Sequence, residues 1–237
     1  GYFINNLKEH EKWTRPDFDI SIKHLQITPN VRYSVDKFTF NIGSQISTLD
    51  NTNNQTKRLV PDASSLNVGP YTIIDYEHEN FGFNYGIRYD YKSLESKDQT
   101  FDLNYDNEFS NTSFSAGIFY KYLDNTVRIT YSGAYRAPHF SELFSDGVHH
   151  GTNRYEIGNI NLDIEQANQI DVKYQWANEH FGIVLNPFIQ DISNFISITP
   201  SNSFQNNYRV YNYIQYESVN MKGLELNLHY HPHQLHN

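Results

Sequence analysis

The 237 residues carry a formal charge of −9, and their 18 Lys and Arg are scattered, so no clustered basic surface points to nucleic acid. Cysteine is absent, which excludes a disulfide framework and every thiolate site. No stretch approaches the roughly 18 consecutive apolar residues of a membrane-spanning helix. With 19 Tyr and 16 Phe against one Met, the composition favours half-buried pleated strands over helices. A barrel that crosses a membrane with strands stays open, because lipid-facing and lumen-facing residues alternate and average to a polar sequence.

In chain order, the first strand expected is Phe18 to Tyr33, interrupted at Pro29, and a short turn at Val35 to Lys37 leads into Phe38 to Ser47. A polar stretch, Leu49 to Gly69, reads as a long loop before a strand at Tyr71 to His78. After a turn at Glu79 to Phe81, Phe83, Tyr85, Ile87, Tyr89 and Tyr91 alternate with Asn84, Gly86, Arg88 and Asp90. Lys92 to Thr112 reads as a second long loop, followed by a strand at Phe114 to Tyr122 and a turn at Leu123 to Asn125. From Thr126 to Arg136 the alternation is strict, with Val127, Ile129, Tyr131 and Tyr135 on one face and Arg128, Thr130 and Arg136 on the other. A third long loop, Pro138 to Asn168, comes before Gln169 to Trp176. A turn at Ala177 to His180 then precedes strands at Phe181 to Ile189 and Leu224 to Tyr230.

About nine strands result, in an all-β antiparallel arrangement. The connections alternate short and long, so the short turns share one end and the long loops the other. Outer-membrane barrels have this asymmetry, with short periplasmic turns and longer extracellular loops. Tyr89, Tyr91, Tyr120, Tyr122, Trp176, Tyr211 and Tyr213 lie near strand ends, where girdle aromatics sit half in lipid and half in water.

A more specific signal begins at Tyr-Arg-Ala-Pro-His-Phe-Ser-Glu-Leu-Phe, residues 135 to 144. It continues through Gly-Val-His-His-Gly-Thr-Asn-Arg-Tyr-Glu-Ile-Gly-Asn-Ile-Asn-Leu, residues 147 to 162. Ile164-Glu165 follows, and Tyr211-Asn212-Tyr213 is separated from Gly223-Leu224-Glu225 by a further run. With Leu59-Val60-Pro61 and Gly86 to Asp90, these elements resemble the TonB-dependent receptor family over most of residues 37 to 231. In that family Pro-Glu is common where Ile164-Glu165 stands here.

The resemblance implies a transmembrane β-barrel of the bacterial outer membrane whose lumen is closed by an N-terminal plug. About nine strands cannot close such a barrel, and no plug or TonB box is recognisable. Residues 1 to 237 therefore read as part of a barrel, with plug and terminal strands outside the segment. The implied function is uptake of a metal or metal chelate (siderophore, zinc or haem). The implied partners are outer-membrane lipid, the TonB complex acting through the plug, and the cargo. Two other readings share the strands: a passive or adhesive outer-membrane barrel, and a soluble all-β domain that binds carbohydrate on exposed aromatics. The first would lack a plug, and the second would need no detergent.

Candidate ligand-binding residues lie in the third long loop: Glu142, Asp146, His149, His150, Tyr155 and Glu156. His149 and His150 offer imidazoles beside carboxylates, the donor types that suit zinc, copper or iron, although adjacent residues on an extended chain point to opposite sides. A solvated polar loop accounts for the same residues. His229, His231, His233 and His236 form a second histidine-rich stretch, for which a polar turn serves equally well. No resident cofactor is expected. An enzyme is not expected either, since no Gly-x-Ser-x-Gly, His-Glu-x-x-His or phosphate-cradling glycine motif occurs.

Overall fold

A computed structural model describes residues 1–9, 18–54, 59–98 and 101–231. Its strands are β1 (Tyr2–Glu9), β2 (Phe18–Ile27), β3 (Asn30–Val35), β4 (Phe38–Asn53), β5 (Ala63–His78), β6 (Phe81–Asp98), β7 (Leu103–Tyr122) and β8 (Asn125–Arg136). After a short helix, α1 (Phe140–Phe144), come β9 (Asp146–His149), β10 (Arg154–Ile157), β11 (Glu165–Ala177), β12 (Phe181–Gln205) and β13 (Tyr208–Tyr230). Among the described residues all 13 strands belong to one open sheet. Its order is β1-β2-β4-β5-β6-β7-β8-β11-β12-β13-β10-β9, with β3 also paired to β4.

Every wall pairing is antiparallel between neighbours, the topology of an up-and-down barrel wall. The four strands beyond the nine expected are β1, β3, β9 and β10. The interruption at Pro29 separates β2 from β3, but both stay on β4, and the Pro29 carbonyl accepts from the Ser44 amide at 3.0 Å. Proline lacks an N–H for the ladder, so the strand bends here without leaving the sheet.

Two expected loops are largely strand. β4 and β5 pair from Phe38↔Tyr76 out to Asn51↔Ala63, and β6 pairs with β7 as far as Asp98↔Leu103. A membrane crossing needs only about 9–11 residues of tilted strand, whereas β7 has 20 and β12 has 25. Above the membrane, water or protein replaces lipid on one face, and the apolar-polar alternation fades while backbone pairing persists. β12 and β13 end in a tight hairpin at Asn206 and Asn207, both with positive φ (51° and 66°), the geometry of a type I′ turn.

The register aligns one apolar face across the wall. Ile118 pairs with Ile129, Ile129 with Val172, and Leu185 with Leu226. Exposed Ile87, Ile118, Ile129, Ile170, Leu224 and Leu226 lie on this face. It is the lipid-facing band, and residues of opposite parity, such as Arg88, Asp90, Arg128 and Glu225, face the lumen. Tyr120 and Tyr122 are exposed at its short-turn end, as girdle residues should be.

The main buried core lies on the lumen side of the long strand extensions. Leu94 and Leu143, 0% and 1% exposed, pack with Ala63, Phe109, Phe140, Phe144, Leu162 and Ile196. Residues 165 to 168 of the expected loop already belong to β11, and the stretch from Pro138 to Ile164 is thus a folded cap tucked inside the outer rim of the wall. Its sequence hides this because its apolar residues follow neither a helical nor a strand period.

Candidate functional site

β8 stays paired to β7 only as far as Phe114↔Gly133, and to β11 as far as Arg136↔Glu165. Pro138 follows its end, and α1 begins with His139 as N-cap. The His139 Nδ1 accepts from the Ser141 amide at 3.4 Å, and Glu142 Oε2 accepts from the His139 amide at 2.7 Å, a capping box that orders a helix of only five residues.

Arg136 ties this helix to the wall. Its Nη1 donates to Glu142 Oε2 at 2.7 Å, while Nη2 and Nε donate to Glu165 Oε2 and Oε1 at 3.1 and 3.3 Å. Glu165 Oε2 also accepts from the Ile196 amide at 2.9 Å. The arginine and the two glutamates of the signature thus meet across 29 residues of sequence, because one planar guanidinium can serve two carboxylates. Gly158 closes the cap. Its amide donates to the Ser145 carbonyl at 2.6 Å, and the Asn159 amide donates to the Glu142 carbonyl at 2.9 Å. A Cβ at Gly158 would stand 2.5 Å from the Leu143 carbonyl oxygen, a backbone atom that cannot swing aside. Gly158→Ala should therefore cost at least about 1 kcal/mol of cap stability. Faster amide exchange over residues 140–145 checks this, and unchanged exchange would count against the close approach.

β9 and β10 form a hairpin around a single 3-10 turn, His150–Thr152, and β10 lies parallel against β13, with Tyr155↔Val210 and Ile157↔Asn212. Glu156 is its hub, at 2% exposure. It accepts from Arg154 Nε at 2.6 Å, His149 Nδ1 at 2.9 Å and Tyr213 Oη at 3.1 Å. Burial pushes its carboxyl pKa up, but the bonds from Arg154 and His149 more than offset this and hold it below the ordinary value. Arg154 also stacks over Tyr211 at 5.3 Å from the ring centre. Tyr155 donates to Asp146 Oδ1 at 2.7 Å, and burial followed by this bond pushes its phenol up to about 12.

The six candidates thus separate. Glu142 holds α1, Asp146 and Tyr155 form one pair, and His149 and Glu156 form another. His150 packs edge-on to Tyr208, 6.2 Å between ring centres. Among the described residues no three His, Asp or Glu gather in a way that could hold a metal ion. His229 lies on the lumen face opposite Gly182, and the His231 amide bonds the His180 carbonyl at 2.8 Å. His233 and His236 lie outside the described residues. Tyr211 and Tyr213 are not girdle residues. Both have the parity of Glu225, so they face the lumen and support the cap, as the alternation along β13 already implies.

Sequence reasoning missed a lumen-side cavity of about 450 Å³ beneath the cap. It is lined by Asn67, Arg88, Asp90, Lys92, Arg136 and His139, together with Tyr135 and Ser113. Lys92 has the lumen parity of Arg88 and Asp90, a signal available in the sequence. His139 is pushed below its ordinary pKa, first by burial and then by the charge of Lys92.

The family model described as "TonB dependent receptor-like, beta-barrel" matches residues 10–235. Among solved structures, the chain is similar to the haemophore receptor HasR of Serratia marcescens, seen with its haemophore HasA and haem. The identity is 15% and the TM-score 0.73, over 92% of this chain and 41% of that one. It is likewise similar to the copper transporter OprC, at 16% identity and a TM-score of 0.76 over 91% and 36%. The FrpB iron transporter of Neisseria meningitidis is a third, at 14% identity and a TM-score of 0.68 over 92% and 34%. The chain spans less than half the length of each. No curated protein sequence matches it.

Proposed function

Because the chain belongs to the TonB-dependent receptor β-barrel family and so to the bacterial outer membrane, we propose that it supplies part of the wall and one folded outer cap of a receptor that imports a metal or metal chelate. The observation that carries this reading is the cap itself. The family signature builds a lock, Arg136 with Glu142 and Glu165, that anchors an ordered loop inside the outer rim of a lipid-facing wall. A receptor gains a preorganised surface, which lowers the ordering cost of binding. The similar structures carry iron, copper and haem cargo by name, which supports a metal-containing cargo for this chain.

In this reading the open sheet is completed by further strands of the same barrel, a plug fills its lumen, and TonB supplies the energy. Glu142, Asp146, Tyr155 and Glu156 build the support, and cargo meets the hairpin tip at His149 and His150. Glu156 accepts from His149 Nδ1 and so fixes the orientation of that ring in the hairpin.

The test is growth under metal limitation with iron, zinc, copper, haem or siderophore chelates as sole sources. Deleting the gene and deleting TonB should each abolish use of the same source. If the gene deletion leaves every source usable, the receptor reading fails.

A further inference from the structure

Two of the three cations in the lumen-side cavity are matched by carboxylates. Arg88 donates through Nε to both oxygens of Asp90 at 2.7 Å, and Arg136 is held by Glu142 and Glu165. Lys92 is not matched. Its Nζ donates to the Pro138 carbonyl at 3.3 Å, a long contact for a charged donor, and an ammonium has three N–H groups to place.

His139 lines the same space. As N-cap it accepts at Nδ1 from the Ser141 amide at 3.4 Å, and the Ser141 hydroxyl, 3.1 Å from the same nitrogen, donates to it in the tautomer that carries the ring proton on Nε2. Burial and then the Lys92 charge hold the His139 pKa below its ordinary value, and burial lowers that of Lys92 against the opposing charge of Glu142, which favours the ammonium. The Pro138 carbonyl takes one of the three Lys92 N–H groups and leaves the others to be placed. The cavity, about 450 Å³, is within the range that encloses small ligands. Its walls at Arg88, Asp90 and Lys92 belong to the lumen face of β6.

We propose that this cavity binds an oxyanion, carboxylate or phosphate, of a small ligand entering the lumen, with Lys92 Nζ and His139 Nε2 as its donors. The proposal rests on the receptor reading and names the chemistry its cargo presents at this depth. Arg88 and Arg136 frame the site without donating freely, because their own carboxylates hold them in place. Lys92 supplies the charge, and His139 gives direction.

The test uses the full-length protein in detergent, with citrate as probe and uncharged trimethyl citrate as control, in equilibrium dialysis. Citrate should bind saturably and the ester should not. Lys92→Ala should weaken citrate binding roughly tenfold, the worth of one charge-assisted contact, and Lys92→Arg should restore most of it. His139→Asn keeps an N-cap side chain, so α1 survives, and it should weaken binding severalfold. Competition by inorganic phosphate would identify phosphate as a ligand of the site, and citrate binding without such competition would identify carboxylate. Either result supports the proposal. Equal citrate affinity in wild type and Lys92→Ala, or no saturable citrate binding in the wild type, overturns it. Failure here, alongside gene- and TonB-dependent growth on a metal source, sinks only this inference, whereas loss of that dependence sinks the receptor reading.

Discussion

Glu156→Gln should open the β9–β10 hairpin by about 3 kcal/mol, on the order of a 100-fold larger open population. The carboxylate is 2% exposed and serves Arg154, His149 and Tyr213 at once. Glutamine keeps its shape but removes the charge, leaving the Arg154 guanidinium in a part-buried site without its counterion. Removing one partner of a buried pair costs more than the pair contributes, because the remaining charge stays desolvated. Amide exchange across residues 146–157 reads the effect directly. Unchanged exchange in the variant would mean that backbone pairing to β13 alone holds the hairpin.

The same group predicts a pH dependence with a definite sign. The folded carboxyl pKa lies below the ordinary 4.5, so Glu156 binds its proton less readily in the folded cap than in the opened one. Its contribution is complete above about pH 4.5 and is lost as pH falls through the lower folded value. Hairpin protection in the wild type should decline over that acid window, and Glu156→Gln should show no such decline.

Arg136→Ala should release α1 from the wall by about 2 kcal/mol. The estimate is below that for a fully buried pair because the arginine side chain is 41% exposed and partly screened, while both glutamates are 15% exposed. Truncation leaves two carboxylates facing each other and frees the helix that inserts Leu143 into the core. Limited proteolysis within residues 146–161 should accelerate by roughly tenfold or more, since cleavage follows the population of the opened loop. The wall should remain intact, because its ladders do not involve this side chain. Arg136→Lys should recover only part of the loss, as one ammonium cannot reproduce three donors directed at two carboxylates. Proteolysis at the wild-type rate in Arg136→Ala would show that the apolar cluster holds the cap without the lock.

Some of this design is visible in the chain alone and some is not. Alternation at Phe83 to Tyr91 and at Thr126 to Arg136 identified wall strands and assigned the lipid and lumen faces, because a period of two survives wherever one face meets lipid. The strand extensions Lys92 to Asp98 and Leu103 to Thr112 were not legible, since their faces meet water or the cap and carry no regular apolar rhythm. Likewise Leu94 and Phe109 look unremarkable in polar surroundings, yet they floor the core that receives Phe140, Leu143 and Phe144.

The signature around Arg136 pointed to the family, but its physical meaning depended on contacts between residues far apart in the chain. Glu165 reaches Arg136 because β11 pairs with β8, and Tyr213 reaches Glu156 because β10 docks on β13. Local pattern is enough for wall strands, whose environment is uniform along their length and therefore written into a repeating code. The cap, its buried Glu156 and the cavity at Lys92 and His139 are set by which strand ends meet above the membrane. That is a non-local choice made by the whole sheet, and no run of neighbouring residues encodes it.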